Sequence, residues 1–185
     1  MQCLSEAERT AILELARKAV EEAVCRNRVL QEFPKTGVFE RQCGVFVTLH
    51  VAKRLRGCIG VIEAKEHLGE SIARCAASAA REDPRFNRMR PEELSQLDIE
   101  VSLLSPLELI QPEQIEIGKH GLFVEQGFHR GLLLPQVAVE NHLGREQFLR
   151  ETCHKAGLRD EAWKDAATRI YGFTCEIVTA ATGEQ

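Results

Sequence analysis

Leu55-Arg56-Gly57-Cys58-Ile59-Gly60 sets a thiol between two glycines and two residues from an arginine. The stretch reads as a strand, and on a strand residues i and i+2 share a face. Arg56, Cys58 and the bare Cα of Gly60 are therefore expected on one side, with Leu55, Gly57 and Ile59 on the other. The first side carries chemistry: a nearby guanidinium favours thiolate over thiol, and glycine lets a ligand or a second backbone come close. The second side packs. Free cysteine is also an ordinary small core residue, so the same six residues read either as a reactive strand or as a tight structural one.

Working outward, β-branched and apolar residues alternate or cluster between turn residues over about 44–51, 55–62, 98–105, 115–117, 121–126, 130–134 and 169–178. Each is expected as a strand, and the short links favour antiparallel pairing. In 98–105, Ile99, Val101 and Leu103 share one face while Asp98, Glu100 and Ser102 share the other, which reads as a solvated face or as the wall of a polar cleft. Ser5-Glu6-Ala7-Glu8 is a capping box with Leu4 before it, opening a helix whose apolar stripe runs to about residue 25. An alanine-rich helix is expected over about 68–80, stopped by Asp83-Pro84. Pro135 suits the first turn of a helix over about 136–142. A further helix follows Gly144 and ends at Gly157.

An internal echo runs through this pattern. Gly44-Val45-Phe46-Val47 followed by Arg56-Gly57-Cys58-Ile59 parallels Gly121-Leu122-Phe123-Val124 followed by Arg130-Gly131-Leu132-Leu133. Each reads as a hairpin with a helix after it, and the second link is shorter by three residues. Leu132 stands where Cys58 does. The helix start at Gln136 presents free N–H groups, and Arg130 is near it in sequence, a combination that attracts carboxylate or phosphate.

With 44% apolar and 28% charged residues over 185 positions, the chain suits a globular fold of one domain or two intimate lobes. A net charge of -4, with Lys and Arg scattered, argues against a nucleic-acid-binding face. The start Met1-Gln2-Cys3-Leu4-Ser5-Glu6 lacks a signal-peptide pattern and no apolar run is long enough to span a bilayer, so a cytoplasmic protein without a membrane partner is expected. The seven cysteines, at 3, 25, 43, 58, 75, 153 and 175, form no Cys-x-x-Cys pair and leave one over, against a disulfide framework. Neighbouring Cys153 and His154 point apart on a helix, so neither a metal nor a cofactor is predicted.

The hexapeptide, Asp83-Pro84-Arg85-Phe86, the strand from Glu100 to Pro106, His120-Gly121-Leu122, the run from Arg130 to Ala138, Glu140, Phe148-Leu149, Lys155-Ala156-Gly157-Leu158 and Trp163 together resemble the AMMECR domain family, in its prokaryotic AmmeMemoRadiSam branch. The resemblance covers nearly the whole chain. It implies an α+β fold, mainly antiparallel sheet with flanking helices. Residues 1–185 would form a single AMMECR-type domain of two intimate lobes, with the signature near the cleft between them. It also implies partners, because the family's gene neighbourhoods combine it with a radical SAM protein and a Memo-like protein. No catalytic residue comes with it.

Two functions stay open. An accessory or substrate-binding protein would use the cleft around the signature, with Gly57 and Gly60 allowing close approach and Arg130 and Gln136 holding a small anionic ligand. An enzyme would use Cys58 as nucleophile or general acid on a small or peptide-linked anionic substrate. Arg56 would then lower the thiol pKa or hold the anion, and Glu100 or His120 would carry the proton.

Overall fold

A computed structural model describes residues 4–63 and 65–180. The chain divides into two compact units, the first made of the segment up to Leu104 together with the segment from Glu176, the second of Ser105–Cys175. Both are α+β with antiparallel sheet.

The first unit runs α1 (Glu6–Arg26), β1 (Val45–Val51), β2 (Arg54–Val61), α2 (Leu68–Arg81) and β3 (Leu97–Leu104), and is joined by β8 (Cys175–Thr179). The capping box forms: Ser5 Oγ accepts from the Glu8 N–H at 3.3 Å, and Glu8 Oε2 accepts from the Ser5 N–H at 2.8 Å. α1 stops at Asn27, which takes the left-handed conformation at φ 58°. The strand order is β2-β1-β3-β8, with β1 antiparallel to both neighbours. Val45, Val47, Leu49, Val101 and Leu103 turn one sheet face onto Ile12, Leu15, Ala19, Ile72 and Ala76 of the two helices. The alanines of α2 make it a flat helix, and Gly57 completes the fit: a Cβ there would lie 2.1 Å from the Ala79 carbonyl oxygen. Helix and strand meet backbone to backbone.

In the second unit the order along the chain is β4 (Glu108–Leu109), β5 (Gly121–Gln126), β6 (His129–Leu133), α3 (Pro135–Glu140), α4 (Arg145–Lys155) and β7 (Arg169–Phe173). Its sheet is ordered β4-β7-β5-β6. Leu122, Val124 and Ile170 pack on Phe148, Leu149 and Cys153. Gly131 repeats the device of Gly57, since a Cβ there would lie 2.4 Å from the Ala156 nitrogen at the end of α4.

Two expectations change and one strand goes unforeseen. The 169–178 run is two strands in two sheets, because the Thr174 backbone turns to Ser105 instead of a ladder: its N–H donates to Ser105 Oγ and its carbonyl accepts from the Ser105 N–H, both at 2.9 Å. The 115–117 stretch is no strand; Pro112 opens a single 3-10 turn whose last bond runs from the Ile115 N–H to the Pro112 carbonyl. β4 escaped the pattern because two residues are too few to alternate. Among the described residues no helix is long and apolar enough to cross a membrane. Cys25, Cys43, Cys58, Cys75 and Cys153 are free thiols, and Cys3 lies outside the described residues.

Candidate functional site

The β1–β2 hairpin turns on Ala52-Lys53, between the paired Val51 and Arg54. His50 then faces Leu55, but the register slips and Leu49 faces Gly57, so Arg56 is the extra residue of a β-bulge. Simple alternation from Cys58 to Arg56 therefore fails. The Arg56 guanidinium instead makes a two-pronged pair with Glu93, Nε to Oε1 at 2.6 Å and an NH2 nitrogen to Oε2 at 3.1 Å, and donates to the Asn87 carbonyl at 2.7 Å. This pair ties β2 to the 3-10 turn Pro91–Gln96 and holds the Glu93 carboxyl below its usual range.

Cys58 lies opposite Thr48 on β1, and Thr48 lies opposite Glu100 on β3, which makes one row across three strands. Thr48 Oγ1 donates to Cys58 Sγ at 3.1 Å, and Ser102 Oγ donates to Glu100 Oε1 at 3.4 Å. Because β2 is the sheet edge, the Cys58 N–H has no strand to bond; it donates to Asp83 Oδ2 at 2.8 Å. Asp83 is buried and also accepts from the Arg85 N–H and guanidinium. Arg85 chiefly, with the two peptide N–H groups, holds the Asp83 carboxyl far below the ordinary carboxylate range against the effect of burial. The turn after α2 is thus clamped to the signature strand.

Burial pushes the Cys58 thiol up, and the Asp83 and Glu100 charges add to the rise. The Thr48 hydroxyl and the Arg85 guanidinium oppose it without reversing it. The cation acting on the thiol is Arg85, not Arg56, and the expected depression of the thiol pKa does not occur. Gly57 faces α2 as described above. At Gly60 a Cβ would lie 2.4 Å from both the Phe46 ring and the Val45 carbonyl oxygen. Each glycine has a packing reason.

Beyond Glu100 the row opens into a cavity of about 480 Å³, bordered by Leu13 and Arg17 of α1, His50 and Lys53 of the hairpin, and Asp98 and Glu100 of β3. Arg17 donates from one guanidinium nitrogen to the Leu97 carbonyl at 2.7 Å and pairs through another with Glu21 at 3.9 Å. Among the described residues the side chains of His50, Lys53 and Asp98 make neither a hydrogen bond nor an ion pair.

Of the residues singled out from the sequence, Cys58 and Glu100 share the row, while Arg56 belongs to the Glu93 pair beside it. His120, Arg130 and Gln136 belong to the second unit. His120 Nδ1 accepts from the Glu116 N–H at 3.2 Å. Arg130 is exposed and pairs with Glu125 across the strands at 3.2 Å. Gln136 stands in the first turn of α3, its Oε1 buried without a hydrogen-bond partner among the described residues. Sequence reasoning missed Thr48, Asp83, Arg85, His50 and Lys53. Asp83 had left a signal as the stop of α2, and Arg85 stood with it in the Asp83-Pro84-Arg85-Phe86 stretch that carries the resemblance.

The AMMECR1 family model matches residues 13–178. A relative from Thermococcus gammatolerans is 46% identical over 90% of this chain and 87% of its own length. One from Methanothermobacter thermautotrophicus is 42% identical over 94% of this chain and 95% of its own. The crystal structure of the uncharacterized protein PH0010 from Pyrococcus horikoshii, 40% identical, superimposes with a TM-score of 0.82 over 90% of this chain and 88% of that one.

Proposed function

The chain belongs to the AMMECR1 family, and we propose that it works as an accessory or substrate-binding protein whose site is the polar row of the first sheet and the cavity beside it. The observation that carries this reading is how the charges are spent. Arg56 and Asp83 are committed to Glu93, Arg85 and the strand edge, while His50, Lys53 and Asp98, whose side chains have no partner among the described residues, border the cavity. A cysteine nucleophile needs a base within hydrogen-bond reach; here, among the described residues, the one side chain bonded to Sγ is a hydroxyl that donates. The partners of this reading are the radical SAM protein and the Memo-like protein implied by the resemblance, in the cytoplasm.

The alternative is an enzyme with Cys58 as nucleophile or general acid on an anionic substrate. It is favoured by the Thr48 hydrogen bond and by Arg85, both of which act toward the thiolate. Co-purification of the two partners with tagged protein from the cells that express them separates the readings, provided each variant is checked for an unchanged unfolding midpoint. Cys58→Ala is expected to recover both partners and to complement a deletion strain, whereas Glu100→Arg loses the partners. A folded Cys58→Ala that recovers the partners yet fails to complement would instead establish the enzyme.

A further inference from the structure

We infer that the cavity next to Glu100 takes a small zwitterion, a free amino acid or short peptide with an amine at one end, a carboxylate at the other and an apolar side chain between. The inference rests on the binding reading above and names its ligand class. Both signs of charge border one space: Asp98 and Glu100 from β3, Lys53 from the hairpin turn and Arg17 from α1. A purely anionic ligand would face the two carboxylates, and a purely cationic one would face Lys53 and Arg17. A ligand with both ends answers both sides at once, and Leu13 supplies apolar surface. The volume of about 480 Å³ falls in the usual range for small-molecule sites.

The Lys53 and Asp98 side chains are exposed and, like that of half-buried His50, have no partner among the described residues. His50 and Asp98 sit opposite each other in register, yet neither side chain bonds the other. The turn that presents Lys53 is itself unusual. Ala52 and Lys53 both have positive φ, 49° and 62°, in a two-residue hairpin loop where Asn-Gly is the unstrained choice. The β5–β6 hairpin puts Gly127 at its positive φ instead. Lys53 thus occupies a position where glycine is easier, and its side chain reaches the border of the cavity from there.

Titration of the whole chain with glycyl-L-leucine, followed by amide chemical shifts, tests the proposal. Saturable shifts at His50, Asp98 and Glu100 are expected at millimolar concentrations. N-acetylation or C-terminal amidation of the dipeptide should each weaken binding about tenfold, the loss of one charged contact. Glu100→Gln should weaken the free dipeptide while leaving the N-acetyl form unaffected. Lys53→Gly should weaken it while raising the unfolding midpoint, because it relieves the turn and cannot be dismissed as a folding defect. Equal binding of the blocked and free forms would overturn the zwitterion. So would the absence of saturable shifts with glycyl-L-leucine and with every free amino acid; partner co-purification lost in Glu100→Arg would then still uphold the broader reading.

Discussion

The two hairpins place equivalent residues on equivalent sheet positions and then diverge in chemistry. Counted from each turn, Gly57 faces Leu49 and Gly131 faces Val124, and both glycines receive the C-terminal end of a following helix. One pair further on, Cys58 faces Thr48 and Leu132 faces Phe123; the third strand adds Glu100 in one unit and Tyr171 in the other. The row Cys58, Thr48, Glu100 is polar. The row Leu132, Phe123, Tyr171 is apolar, with the two rings 5.8 Å apart between centroids. What both units share is what strand, turn and helix need in order to pack. What only the first carries, a thiol, a carboxylate and a turn strained to present lysine, is surplus to that need, and surplus of this kind is where function is found.

The strongest attack on the comparison is to enlarge the shared glycines. Gly57→Ala drives a methyl group into the Ala79 carbonyl, and Gly131→Ala drives one into the Ala156 backbone. Neither neighbour is a flexible side-chain end, so the helix itself must shift. Each substitution should cost about 3 kcal/mol, the upper part of the range for overpacked sites, read as a lower urea midpoint. If either is neutral, the helix contacts are looser than drawn and the equivalence of the two units fails.

Much of this was open to reading in the chain itself. Ser5 and Glu8 announce α1, Asp83-Pro84 stops α2, and the hexapeptide is a strand. The echo was half right: Gly57-Cys58-Ile59 corresponds to Gly131-Leu132-Leu133, but Arg130 takes the ladder place of Leu55, and pairing aligns Gly121 with Phe46 and not with Gly44. Two residues of that offset and the bulge at Arg56 account for the three-residue difference in link length. A bulge adds one residue without altering composition or periodicity enough to notice, and it sent Arg56 to Glu93 instead of Cys58. Asp83 was legible as a helix stop but not as a clamp, since its partner lies 25 positions away in sequence. The cavity was invisible because it gathers α1, the hairpin turn and β3, and no local pattern links them.

A narrower test uses the clamp. Asp83 bonds the edge of β2, whereas among the described residues no carboxylate accepts from the Leu132 N–H. Its carboxyl is held below its unfolded value, so the stability it adds is complete above the unfolded pKa, about 3.9. That stability is lost as pH falls toward the folded pKa. Wild-type protein should therefore weaken from about pH 5 downward. Asp83→Asn should be about 2 kcal/mol less stable at neutral pH, as for a lost charged hydrogen bond, and its stability should change less through the acid range. Hydrogen exchange should quicken in β2 and stay unchanged in β6; equal loosening of both strands would mean the clamp supports the whole fold, not one edge.

The smallest effect concerns the thiol itself. Burial pushes the Cys58 pKa up and outweighs Thr48 and Arg85, so little thiolate exists at neutral pH. Brief alkylation of folded protein at pH 7 should label exposed Cys25 before Cys58, and the Cys58 rate should keep rising with pH beyond the ordinary thiol range of about 8.5. Thr48→Val removes the hydroxyl that donates to Sγ, and with it a contribution that favours the thiolate. The Cys58 rate at pH 7 should fall further, by up to about tenfold for the loss of one hydrogen bond, while the cost to stability stays near 1 kcal/mol. The sign is what matters. A Cys58 that reacts faster than Cys25, and slows to the Cys25 rate in Thr48→Val, would show a thiol activated by its row. The polar row would then differ from the aromatic one as a reaction centre and not as a wall of a binding site.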